Sequence, residues 1–65
     1  MINLWNYQTG DKIQLIDSEG KKYIGRVVAV FDAEETYDAE DSITIDVEGQ
    51  YYGFFPSEIS RIERL

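Results

Sequence analysis

Apolar residues recur at every second position in two stretches of the chain. A polar residue separates Ile13 from Leu15, and polar residues also separate Ile43, Ile45 and Val47 from one another. A period of two is typical of a β-strand that has one face on a core and the other in solvent. Both stretches therefore predict strands that are buried on one side only.

A longer run, from Tyr23 to Phe31, is rich in β-branched and aromatic residues and contains Gly25. Such residues favour strands, and a glycine allows a strand to bend because it has no Cβ. This run predicts a long, bent central strand. Two further apolar runs, 51–55 and 61–65, predict the fourth and fifth strands.

The links between these runs carry turn residues. The link 17–20 offers Asp and Ser side chains followed by a glycine, and the link 48–50 has a glycine at its centre. Both predict tight turns between neighbouring strands. Pro56 has a fixed φ and cannot donate a backbone hydrogen bond, so it predicts the end of the fourth strand and a short 3-10 turn over 56–59.

The whole chain, 1–65, is therefore predicted to form one all-β domain, in which five strands close into a barrel. The segment 3–8 is expected either to form a single helical turn capped by Asn3 or to run extended onto the barrel. The residues expected to fill the interior are aliphatic: Ile13, Leu15, Val27, Val30, Ile43, Ile45, Val47 and Ile62.

Composition removes several classes of function. The 65 residues include 13 Asp and Glu against 6 Lys and Arg, for a net charge of −7, and no Cys or His. The negative field opposes binding to phosphate backbones and anionic membranes. Without Cys and His, the chain lacks the commonest catalytic nucleophile, the commonest catalytic base and the soft metal ligands, so no enzyme activity, cofactor or metal is expected. Without a long apolar run or a signal pattern, the chain is expected to be soluble and cytoplasmic.

Two blocks resemble the SH3-like barrel superfamily. The block 10–15 is similar to the Gly-Asp-x-apolar-x-apolar opening of the second SH3 strand, and the block 53–59 resembles the stretch that leads through a 3-10 turn to the last strand. The resemblance implies a five-stranded SH3-like barrel. In peptide-binding members the ligand groove contains a proline, which Pro56 matches, and a Trp pair, for which Tyr23 and Ile24 are the candidates.

A second resemblance favours an alternative function. The stretch 19–32 looks like the first Sm motif, and the arrangement 12–65 resembles the C-terminal barrel of the bacterial ribosome maturation factor. Both imply an Sm-like subunit associated with RNA or the ribosome. However, RNA-binding Sm proteins have an Asn just after the position of Asp32 and an Arg-Gly pair in the second motif, and this chain has neither. RNA therefore remains possible but is disfavoured by the net charge.

The basic residues offer one route to RNA. If the last strand lies beside the first, Arg61 or Arg64 comes near Lys12, and neighbouring tyrosines could stack on bases. The preferred interpretation is that these residues protect an edge strand and form surface ion pairs.

The segment 32–41 holds six carboxylates in ten residues. Alternate oxygen ligands could hold Ca²⁺, but Tyr37 stands where a helix-loop-helix calcium site needs glycine, and Ile43 stands where it needs glutamate. We expect a solvated connection without a metal. A docking surface for a basic partner is the alternative for this segment. For the protein as a whole, a third interpretation is an acidic protein that imitates nucleic acid and so occupies a basic partner.

Nine aromatic side chains exceed what the predicted interior can hold. Strand alternation places Tyr51 and Phe55 on one face and Tyr52 and Phe54 on the other, and the pair Tyr52 and Phe54 is expected on the surface. Exposed tyrosines are favoured interface anchors. We therefore predict a non-catalytic module that binds a protein partner, or itself, through exposed aromatics. The candidate partner-binding residues are Tyr23, Tyr51, Tyr52, Phe54 and Pro56.

Overall fold

A computed structural model describes residues 2–33 and 40–65 of the chain. They contain a single antiparallel sheet. Its strands are β1 (Lys12–Asp17), β2 (Lys22–Phe31), β3 (Ser42–Val47), β4 (Gln50–Phe54) and β5 (Ile59–Arg64). They lie in the order β4-β3-β2-β1-β5. The all-β prediction is confirmed. Within the described residues, no helix has the length and apolar character needed to span a membrane.

The link between β1 and β2 is a tight turn, as predicted. The Asp17 carboxylate accepts hydrogen bonds from the backbone N–H groups of Glu19, at 3.0 Å, and Lys21, at 2.8 Å. Gly20 completes the turn with a φ of 86°, a conformation that suits a residue without Cβ. The side chain of Asp17 therefore fixes the register of the first hairpin.

The second hairpin, between β3 and β4, turns over only two residues. Val47 pairs with Gln50, and the intervening Glu48 and Gly49 have φ values of 53° and 89°. Two positive φ values make the turn twist in the same sense as the strands it joins. The Asp46 carboxylate accepts a bond of 2.9 Å from the Gly49 N–H and holds the turn closed.

The central strand β2 is as long as predicted and has an irregularity in the middle. Its pairing with β3 shifts register between Val27 and Ala29, so one residue is left over, as in a β-bulge. Gly25 lies where the backbone of β3 comes closest: a Cβ at this position would meet the carbonyl group of Asp46. Because β3 approaches β2 this closely, only a residue without Cβ fits at position 25.

The described residues include a short 3-10 turn before β1 and another between β4 and β5. The first, Leu4–Asn6, is capped by the Asn3 side chain, which accepts a bond of 3.0 Å from the Trp5 N–H. The second, Pro56–Glu58, separates β4 from β5, and the Glu58 carboxylate accepts a bond of 3.0 Å from the Phe55 N–H. The capped turn near the N-terminus and the turn after the fourth strand are both confirmed.

The first and last strands pair with each other. Ile13 lies opposite Arg64, and the Leu65 N–H donates to the Lys12 carbonyl at 2.9 Å. β4 and β5 are the two outer strands, and in the described part of the chain no ladder joins them. The five-stranded sheet and its 3-10 turn are thus established, while closure into an SH3-like barrel stays a prediction.

The core lies on one face of the curled sheet. Its buried members are Leu4, Ile13, Leu15, Val27, Ile43, Ile45, Phe54 and Ile59. The predicted core residues Val30, Val47 and Ile62 are half-buried against this cluster. The surface position expected for Phe54 is wrong, because Phe54 pairs with Ile43 and shares its inward face, leaving only 8% of the residue exposed.

Candidate interaction surface

Three of the five predicted partner-binding residues form one ring cluster. The Tyr23 ring centroid lies 5.1 Å from that of Tyr52 and 5.1 Å from that of Phe54, in tilted arrangements. Phe54 is core, whereas Tyr23 and Tyr52 are half-buried at the border with solvent. The Tyr52 hydroxyl donates to the Gln50 side chain at 2.9 Å. This cluster extends the core, and within it only Tyr23 and Tyr52 have partly exposed rings for a partner to contact.

Tyr51 lies on the opposite face of the sheet and is 68% exposed. It pairs with Asp46 across the β3–β4 ladder, and the next residue on the same face, Gly53, pairs with Thr44. Glycine leaves open space here, since a Cβ at position 53 would meet only the Thr44 hydroxyl, at 4.0 Å. The exposed aromatic side chain of the fourth strand is therefore Tyr51.

Pro56, the fifth predicted residue, is half-buried in the wall of a separate groove of about 740 Å³. Its other described lining residues are Ile2, Ala33, Glu40, Asp41, Ser57, Ile59 and Ser60. The predicted residues thus fall in three places: the ring cluster, the outer face at Tyr51, and this groove.

Trp5 is an exposed aromatic residue that the predicted site omits. It is 52% exposed, and its indole Nε1 donates to the Asp41 carboxylate at 3.0 Å. The other oxygen of that carboxylate accepts a bond of 3.0 Å from the Ala33 N–H. The only sequence signal for this arrangement is the tryptophan itself, because its partner is 36 positions away.

The outer strand β4 has an unoccupied edge. Val47 and Gln50 close a two-residue hairpin and are hydrogen-bonded, so the backbone groups of Tyr51 and Gly53 point away from β3. Across residues 2–33 and 40–65, no turn, loop or capping hydrogen bond uses these backbone groups. Both residues are exposed. The edge thus offers two N–H donors and two carbonyl acceptors to solvent.

The two outer strands differ in charge. β4 contains no charged residue, whereas β5 carries Arg61, Glu63 and Arg64. Charged side chains on an outer strand are a common protection against pairing with another chain. β5 therefore has this protection and β4 lacks it.

Charge is also divided along the sequence. The stretch 27–60, which contains β3 and β4, holds nine of the thirteen acidic residues and none of the six basic ones. All basic residues lie in 12–26 and 61–64, the parts that form β1, the first half of β2, and β5. The uncharged edge of β4 therefore belongs to the acidic part of the molecule.

Several basic side chains already have partners. Arg64 forms an ion pair of 3.1 Å with Asp11, donates to the Asn6 carbonyl, and lies 5.4 Å from the Tyr7 ring centroid. Arg26 donates to the Gly10 carbonyl at 2.9 Å. Arg61 pairs with Glu63 at 3.4 Å, and both side chains are well exposed. This arrangement fits ion pairing at the surface better than a row of cations for phosphate.

The pKa of Asp11 is lowered from its ordinary value. The main cause is the hydrogen bond of 2.9 Å that its carboxylate accepts from the Gln8 N–H, and Arg64 lowers the pKa further by hydrogen bonding and charge. Desolvation acts in the opposite direction and is outweighed. Through its bonds to Gln8 and Arg64, Asp11 joins the N-terminal segment to the last strand.

The segment 32–41 was expected to be a solvated connection without a metal, and its residues 34–39 lie outside the described residues. Among the residues that are described, no group of three or more Asp, Glu, His or Cys side chains is placed to hold a metal ion. Comparison with known proteins finds no matching family model, no matching curated protein and no matching solved structure.

Proposed function

We propose that this chain is a small SH3-like barrel that acts without catalysis, by binding a protein partner through exposed aromatic side chains. The observation that carries the proposal is Tyr51, 68% exposed on an outer strand that has no charged residue. Tyrosine supplies a large contact area with little loss of side-chain freedom, which suits it to an interface. The pairing of the first strand with the last supports the barrel.

The alternative, an Sm-like subunit that binds RNA, has less support. Binding to RNA draws most of its affinity from cations placed along phosphates. Here Arg64 and Arg26 are engaged with the protein itself, and the stretch 27–60 contributes only negative charge. A protein partner with a positive surface fits the negative charge of the stretch 27–60 better.

Site-specific cross-linking distinguishes these functions. The full chain, with a photo-crosslinking phenylalanine in place of Tyr51, is irradiated in an extract of its source cell. A matched chain carries the same group in place of Lys22, which is exposed on β2. We expect protease-sensitive adducts from position 51 and few from position 22. Nuclease-sensitive adducts, or equal labelling at both positions, would contradict the proposal.

A further inference from the structure

We propose that the free edge of β4 accepts an extended, basic peptide segment of the partner as an additional strand of the sheet. This inference rests on the proposed function and specifies how that surface binds. An outer strand with unsatisfied backbone groups is a template for strand addition, in which main-chain hydrogen bonds give affinity and alternate side chains give specificity.

The length of the added strand follows from the edge. Tyr51 and Gly53 direct their N–H and carbonyl groups outward, and Phe55 ends the edge because its own N–H and carbonyl are bonded to Glu58. At the other end the chain turns away at Gly49. The accessible edge therefore spans the five residues of β4, and an added strand of similar length saturates it.

The side chains around the edge favour a cation. On the outer face, the Tyr51 ring lies beside Asp46 in the ladder, and Glu48 follows at the hairpin. A lysine or arginine on the added strand, next to Tyr51, would contact an aromatic face, and its charge would lie about two strand spacings, roughly 10 Å, from Asp46. The open space at Gly53 leaves room for a second, larger side chain two residues away along the same face.

The charge of the chain also argues against a second copy as the occupant. Each molecule carries a net charge of −7, and the stretch that contains β4 has no basic residue. Two molecules joined along this edge would bring their two acidic stretches together, whereas a basic segment would reduce the negative charge there. The occupant that fits is a lysine-rich or arginine-rich extended segment.

The test uses a seven-residue peptide of alternating lysine and valine, titrated into the full chain. We expect the Tyr51 and Gly53 amides to become protected from hydrogen exchange when the peptide binds. The same peptide N-methylated at its lysines, whose N–H groups face β4 when a lysine lies opposite Tyr51, keeps its charge but cannot complete the ladder, so we expect its affinity to fall by about tenfold or more. A peptide of alternating glutamate and valine should bind no better than the methylated one.

Matched protein variants test the same edge. Tyr51→Lys adds a cation at the edge strand, and Ile24→Lys adds the same charge on the interior strand β2, where Ile24 is 46% exposed. We expect Tyr51→Lys to weaken peptide binding several-fold more than Ile24→Lys does. Both replaced side chains are exposed, so neither change is expected to disrupt the fold. A cooperative unfolding transition in each variant verifies this.

Several results would overturn the inference. Equal binding of the methylated and unmethylated peptides would exclude strand addition, and protection confined to Ser57 and Ser60 would place the peptide in the groove instead. Protection of Tyr51 and Gly53 in a dimer formed without peptide would make a second copy the occupant. Protein cross-links from position 51 without edge protection would leave the proposed function standing and remove only this inference.

Discussion

The carbonyl group of Asp46 occupies the space in which a side chain at Gly25 would begin. A Cβ on Gly25 would lie 2.9 Å from the Asp46 carbonyl carbon and closer still to its oxygen, so neither strand could keep its place. The close contact between β2 and β3 at this point therefore depends on glycine. The next two residues of β2, Arg26 and Val27, pair with Asp46 and Ile45 of β3.

Gly25→Ala is expected to lower the free energy of unfolding by about 2–3 kcal/mol, because the backbone must move to admit a methyl group. Gly53→Ala is the matched control, since a Cβ there meets only the Thr44 hydroxyl at 4.0 Å. For a domain of this size the first change should reduce Tm by about 10–20 °C. Thermal unfolding followed by circular dichroism gives the Tm of both variants. Equal decreases in Tm would contradict the role given to Gly25.

Phe54→Ser is expected to unfold most of the protein at room temperature. Removing a buried phenylalanine costs about 3–5 kcal/mol, which is comparable to the whole stability of so small a domain. Tyr51→Ser on the same strand should change stability by no more than about 0.5 kcal/mol, because Tyr51 is largely exposed. Urea unfolding of the two variants would refute the assignment of faces if Tyr51→Ser proved the more damaging.

Asp41→Ala is expected to destabilise the fold by about 1–2 kcal/mol, since it removes the acceptor for both the Trp5 indole and the Ala33 N–H. Asp41→Asn keeps one carbonyl acceptor and should lose less. Glu19→Ala, at the exposed tip of the first hairpin, is the control. Fluorescence of Trp5, the only tryptophan, reports unfolding in urea. If Asp41→Ala lowered the stability no more than Glu19→Ala, the hydrogen bonds of Asp41 would make no contribution to stability.

The lowered pKa of Asp11 makes a contribution to stability that depends on pH. Its folded pKa lies below the ordinary value of 3.8, so the contribution is fully present above pH 3.8 and is lost as pH falls through the folded pKa. NMR titration of the carboxyl group should give a midpoint below 3.8. Arg64→Gln should raise that midpoint only part of the way, because the Gln8 N–H is the larger cause. An unchanged midpoint in Arg64→Gln would exclude the ion pair as a cause.

Much of the sheet was predictable because alternation and turn residues are local signals. The inward positions of Ile13, Leu15, Ile43 and Ile45 follow from alternation. The pairing of β1 with β5 joins distant parts of the chain and was expected only as a consequence of closing five strands into a barrel. The register shift in β2 could not be anticipated, since the run is apolar on both faces and a shift by one residue leaves its pattern unchanged.

The predicted site was less accurate, for a related reason. Every residue of the fourth apolar run except Gly53 is aromatic, so alternation predicts two faces without saying which is inward. Pairing with β3 decides this, and it buries Phe54 and exposes Tyr51. Leu4 and Ile59 were missed as core because Leu4 lies within a short 3-10 turn and Ile59 directly follows one, and a period of two does not apply there.

Hydrogen bonds join the segment before β1 to β5, and the residue after β5 to β1. The Leu65 N–H bonds to the Lys12 carbonyl, and the Tyr7 hydroxyl bonds to the Ile62 carbonyl at 3.1 Å. If the molecule were stretched between its termini, tension would fall first on these bonds and then on the β1–β5 ladder, one rung after another. The domain should consequently unzip at low mechanical force, and β3 and β4 would be the last strands to separate.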